Sequence, residues 1–270
     1  SDLVYSAMTA SNAVLLGRYG GAVEVASFRA IQPAARLNQV VFTSFTLLFT
    51  PLAARLFARG DREGINDLYW QTAIWVAIFS FPLFSLTFSL AQPLTASVYG
   101  SRYADSAVYL ALLSLGYYFN AALGFNGLTL KVFGIVRYIV VLNLAAASAN
   151  LALNFLLIPR FGALGAAVGT CATLVVHNLL KQWGLRYGTG IALFEWRYAR
   201  LYLFIAANAL VLWLIQLVFS PGLVTTVGLA ALSSLAVFRL GRSELNIHEV
   251  FPELLRVPFG RRLFGADHGT

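Results

Sequence analysis

The sequence has little charge and almost no sulfur. Only 11% of its 270 residues are Asp, Glu, Lys or Arg, against about 25% in a typical soluble domain, and that shortage excludes a water-soluble globule. A single cysteine, Cys171, excludes an internal disulfide and any CxxC metal or redox site. His177, His248 and His268 are too dispersed for a metal cluster, and no HExxH occurs. No GxxxxGK[ST] run is present to cradle a nucleotide phosphate. Glu24, Asp105 and Glu195 fall at the edges of apolar runs, while Asp61, Glu63 and Asp67 share one polar connection. Hydrolysis or glycosyl transfer at a membrane face needs an acid, a base or metal ligands there. These gaps favour a transporter over an enzyme, with no catalytic residue, metal or cofactor expected.

Apolar residues fill the space. They make up 59% of the chain, and the mean hydropathy is +0.74. Eight apolar stretches cover about 3–16, 25–56, 68–90, 104–128, 138–158, 163–180, 201–219 and 223–238. Charges are confined between most of them, the pattern of membrane-crossing helices of about 20 residues. The expected fold is an all-α integral membrane domain of eight transmembrane helices over residues 1–240, followed by a polar tail over 241–270. In the tail, Ile247, Val250, Phe251, Leu254 and Leu255 recur at helical spacing beside basic residues. They fit either a short helix lying on anionic lipid or a frayed terminus. The first stretch is short, begins at Ser1 without a start methionine and lacks the basic lead of a signal peptide. The simplest reading is a chain that starts part-way through a larger protein.

The net charge is +8, and 17 of the 19 basic residues are arginine. Lys and Arg in successive connections and the tail number one, three, one, two, one, four, none and five. That alternation predicts cytoplasmic placement of the basic side and of both termini. Membrane lipids, not nucleic acid, are the expected counterpart of the charge.

Two arginines fall inside the second stretch. A helix from Glu24 to Arg55 is about 46 Å long, which centres a ~30 Å hydrocarbon core near residues 39–40. Arg36 then lies about 5 Å outward of the midplane, and Arg29 about two turns beyond it. Gln32 lies between them, Asn38 follows, and Pro33 is a candidate kink. Arg36, Arg29, Gln32 and Asn38 are the candidate substrate-cavity residues, a cationic hydrogen-bonding face suited to an anion such as a pyrophosphate. A structural arginine paired with helix carbonyls is the alternative. Pro51, Pro82 and Pro93 are further kink candidates. Asn120, Asn126, Asn143, Asn150, Asn154 and Asn178 read as bridges between helices, and Gly162, Gly165 and Gly169 as small residues that let helices approach closely.

The run Asn150-Leu-Ala-Leu-Asn154-Phe-Leu-Leu-Ile-Pro159-Arg-Phe-Gly162-Ala-Leu-Gly165-Ala-Ala resembles the hairpin between the eleventh and twelfth helices of bacterial polysaccharide flippases. These belong to the multidrug/oligosaccharidyl-lipid/polysaccharide exporter superfamily. Glu24-Val-Ala-Ser-Phe-Arg29, Tyr99-Gly-Ser-Arg-Tyr103-Ala-Asp-Ser-Ala107 and Val132-Phe-Gly134-Ile-Val-Arg137 are similar in the same order. The resemblance implies the C-terminal lobe, helices seven to fourteen, of a fourteen-helix transporter. It implies an undecaprenyl-pyrophosphate-linked oligosaccharide as substrate, moved across the cytoplasmic membrane for O-antigen or other polysaccharide biosynthesis. It also implies, as partners, a missing N-terminal lobe and glycan-synthesis enzymes. A lipid II flippase or multidrug exporter of the same superfamily, a membrane glycan polymerase or ligase, and a non-transporting scaffold are the alternatives.

Overall fold

A computed structural model describes residues 2–245, so the expected tail helix lies outside the described residues. Those residues form α1 (Asp2–Tyr19), α2 (Gly21–Arg36), α3 (Asn38–Ala58), α4 (Arg62–Phe84), α5 (Ala91–Tyr99), α6 (Ala107–Ala122), α7 (Asn126–Val132), α8 (Val136–Thr189), α9 (Ala199–Phe219) and α10 (Leu223–Gly241). No strand occurs among them. Among the described residues, six helical stretches are long and apolar enough to cross a membrane, and the protein is an all-α multi-pass membrane protein.

The helices break where the sequence removes a hydrogen bond or a Cβ. Pro33 has no N–H to give the Arg29 carbonyl, and four residues later the long second run divides into α2 and α3 at Leu37. Pro82 is followed by a π-helical turn, Ser85–Ser89, which separates α4 from α5. The fourth run breaks at Gly124, whose φ is +79° and whose missing Cβ would stand 2.9 Å from that of Ala73. The eleven-plus-twelve resemblance falls on α8, 54 residues long. As one straight rod it would measure about 80 Å. It is not one rod, because Gly162 adopts φ 54° and ψ −132° and turns residues 136–161 back against 163–189.

Two apolar cores share α6. One surrounds α4, whose Tyr69, Trp70, Trp75 and Phe81 are buried against α3, α6, α9 and α10. The other joins α1, α2, α6 and α8 around Phe28, Ile31, Leu110 and Leu174. Leu47, Leu203, Phe219 and Val224 are instead largely exposed. In water each such side chain forgoes about 1.5–3 kcal/mol of burial, a loss that a hydrocarbon surround removes.

Alternate connections gather at the same end of the bundle. The Asp61 carboxylate accepts from Gly64 N at 2.8 Å to start α4, and one turn on Asp67 pairs with Arg197 at 2.9 Å. Phe57 and Phe133 meet edge-on at 5.0 Å there. At the opposite end, Glu24 on α2 accepts a hydrogen bond from Ala163 N at 2.9 Å. The second connection thus contacts the fourth and the sixth, and the first contacts the fifth.

Candidate functional site

Arginine and lysine side chains line a cavity of about 840 Å³ between α1, α2–α3, α6, α7 and α8. Arg29 and Arg36 come from α2, Lys131 from the end of α7 and Lys181 from the second arm of α8. Gln39, Thr43 and Thr46 continue the wall along α3, at spacings of four and three that keep one helical face. Tyr117 and Asn120 of α6 and Thr9 of α1 complete the polar lining. Among the described residues, no carboxylate lines the cavity.

The bond from Ala163 N to Glu24 sets a common level for α2 and the second arm of α8. At 1.5 Å per residue, Arg29 lies about 8 Å, Arg36 about 18 Å and Lys181 about 27 Å from it along the bundle. These three cations are therefore spread over about 20 Å along the bundle. None of the four forms an ion pair among the described residues.

Arg36 is exposed to the cavity, not buried among freed carbonyls. Its Nε donates to Tyr117 Oη at 3.3 Å and its Nη2 to Thr9 Oγ1 at 2.8 Å. A guanidinium carries five N–H donors, so three remain for a ligand. Two neutral hydroxyls hold the fork in place without cancelling its charge.

Gln32 and Asn38 do not line the cavity. Gln32 is half-buried beside the Arg29–Arg36 line. Asn38 follows Arg36 by two residues, about 200° around a helix, and is fully buried where its amide donates to Ala35 O at 3.1 Å and Thr87 Oγ1 at 3.2 Å. It fastens the α2–α3 break instead of facing a ligand.

The three glycines act by different means. Gly162 makes the bend, and a Cβ on it would collide with the Glu24 carboxylate. At Gly165 a Cβ would stand 2.5 Å from the Leu157 carbonyl, and at Gly169 2.7 Å from the Asn154 amide oxygen, so these two set the closeness of the α8 arms. The asparagines are bridges. Asn154 bonds Asn150 at 2.9 Å and also Asn12 of α1, and Asn12 donates to Thr170 at 3.0 Å. Asn178 donates to Asn120 at 3.0 Å and accepts from Asn126 at 3.0 Å, tying α8 to α6 and α7 under the cavity.

Lys131 and Lys181 are the cavity residues that the sequence reading left in the connections. Their signal was depth. The second arm of α8 runs to Thr189, nine residues past the apolar stretch, so Lys181 lies on a helix wall.

A family model described as MatE matches residues 1–156. An uncharacterized membrane protein of Methanocaldococcus jannaschii is 26% identical over 176 residues, 64% of this chain and 34% of that protein. The chain thus spans about a third of that relative's length. No solved structure matches.

Proposed function

The chain belongs to the MatE family, and from that premise we propose that it forms one lobe of a flippase for an undecaprenyl-pyrophosphate-linked oligosaccharide. The observation that carries this reading is the cavity wall with four cations, three of them at successive depths, and no carboxylate among its described residues. A diphosphate crossing the hydrocarbon needs charge compensation along its whole path, since an isolated ion there is expensive. Arg29, Arg36 and Lys181 offer it in steps of about 10 Å, while the lipid tail stays outside in the membrane. Alternating access then follows from rocking this lobe against an N-terminal lobe. The protein works as a transporter and not as an enzyme. Its setting is the cytoplasmic membrane, beside the enzymes that build the glycan.

The same proposal has eight spans with both termini cytoplasmic: α1, α2–α3, α4, α6 with α7, the two arms of α8, α9 and α10. The α8 arms, residues 136–161 and 163–189, are each about 40 Å long, enough for one crossing apiece. With Cys171 replaced, a cysteine introduced at Ser101 should react with an impermeant reagent from outside, and one at Gly64 only from inside. The reverse labelling contradicts this topology. For the substrate, full-length protein in liposomes should carry a polyprenyl-diphosphate oligosaccharide to the opposite leaflet, and inorganic pyrophosphate should slow it. Transport indifferent to pyrophosphate counts against the phosphate-reading cavity.

A further inference from the structure

Among the described residues, Lys181 is the most unusual charge. Its side chain is only 7% exposed, yet it makes no hydrogen bond or ion pair among the described residues. It lines the inner part of the cavity, and its Nζ lies 3.8 Å from the point where a Cβ on Gly127 would stand. The amides around it are already committed. Asn126 accepts from Gly127 N at 2.7 Å and donates to Asn178 at 3.0 Å, and Asn178 donates to Asn120. The other lysine lining the same cavity is Lys131, whose charge repels that of Lys181, and the neighbour one turn back on α8 is His177. A buried ammonium without a counter-charge is destabilising, and a second cation in the same cavity adds repulsion. A multivalent anion relieves both penalties at once.

We infer that Lys181 and Lys131 form a second anion subsite at the inner end of the cavity, taking a phosphate-bearing headgroup before it reaches Arg36. The inference rests on the reading of the cavity as the path of a phosphate-headed lipid. The two subsites are about 9 Å apart along the bundle and chemically unlike. The lysines are point charges that hold phosphate with little demand on orientation, which suits capture. Arg36 is a planar fork fixed by Tyr117 and Thr9, which suits an oriented hold. Gly127 leaves the space between them and the headgroup open, since any side chain there would lie against Lys181 Nζ.

The test is thermal unfolding of the full-length protein in detergent, with and without inorganic pyrophosphate. Removing an unpaired buried cation should stabilise the empty protein, so Lys181→Met raises the melting temperature. A ligand that binds only the folded state adds stability with its concentration. In Lys181→Met that pyrophosphate-induced rise should need at least about ten-fold more ligand, and Lys181→Arg should restore it; Lys181→Gln serves where the Met variant does not accumulate. A lower melting temperature for both neutral variants overturns the subsite, because it means a carboxylate from the rest of the protein pairs with Lys181. Unchanged pyrophosphate binding in them, with loss in Arg36→Ala, also overturns it while the cavity reading stands. If the wild-type protein binds no pyrophosphate, both fall. Repeating the measurement in nanodiscs separates the two sources of the headgroup. Competition by phosphatidylglycerol supports the subsite with a bulk lipid as occupant, and its absence supports the substrate headgroup.

Discussion

Arg36→Ala is expected to abolish glycan export while the protein still folds and accumulates normally. An arginine near mid-membrane costs at least about 2.5–3.5 kcal/mol on insertion scales, so its removal relieves the helix of a burden. The bonds lost, to Tyr117 and Thr9, are each worth about 1 kcal/mol, and both residues line the cavity, within reach of water. Stability should therefore change little. Binding should change much more. Hydrogen bonds to a charged partner contribute about 1.5–3 kcal/mol, which corresponds to roughly a ten- to hundred-fold loss of affinity for the diphosphate. Arg36→Lys keeps the charge without the planar fork and should retain partial export. Melting temperature in detergent and glycan export, measured on both variants, check this. A poorly expressed, low-melting Ala variant assigns Arg36 a structural role instead.

The second large effect lies 18 Å away along the bundle by helix rise, at the hairpin bend. Gly162→Ala should lower yield and melting temperature severely. The backbone there, φ 54° and ψ −132°, is one that L side chains rarely adopt, and forcing it costs about 1–3 kcal/mol. The added Cβ also collides with the Glu24 carboxylate. Displacing that carboxylate loses its bond to Ala163 N, worth about 1.5–3 kcal/mol with a charged acceptor. Together these amount to about 2.5–6 kcal/mol, a large share of the 5–15 kcal/mol that holds a typical protein folded. Glu24→Gln keeps an acceptor but removes the negative charge from a helix N-terminus, so it should lose only about 0.3–1 kcal/mol. Wild-type melting of Gly162→Ala would mean that the two arms of α8 are not held by this bend.

Much of this arrangement was legible in the residues. Hydropathy placed the apolar runs, because a helix facing lipid must be continuously apolar and its connections need not be. Arg29 and Arg36 could be placed on the cavity wall because a seven-residue spacing nearly repeats a helical face. Asn38 could not, since the break at Leu37 and the bond to Thr87 of the π turn depend on a contact 49 residues away. Gly162 was read with Gly165 and Gly169 as one small-residue stripe. Spacing alone does not reveal that one glycine bends the chain while the others admit a neighbouring backbone. Lys181 was missed for a related reason. Hydropathy drops where charge begins, whereas the helix carries on to Thr189 and presents that charge to an interior wall.

The central claim is that this lobe compensates a phosphate headgroup during translocation. It is tested most directly by giving the full-length protein, in one set of liposomes, a polyprenyl-diphosphate oligosaccharide and a cationic amphiphilic drug. A wall bearing four cations and no carboxylate among its described residues should move the diphosphate-linked lipid and repel the cation. Transport of the drug with no movement of the diphosphate-linked lipid would contradict it.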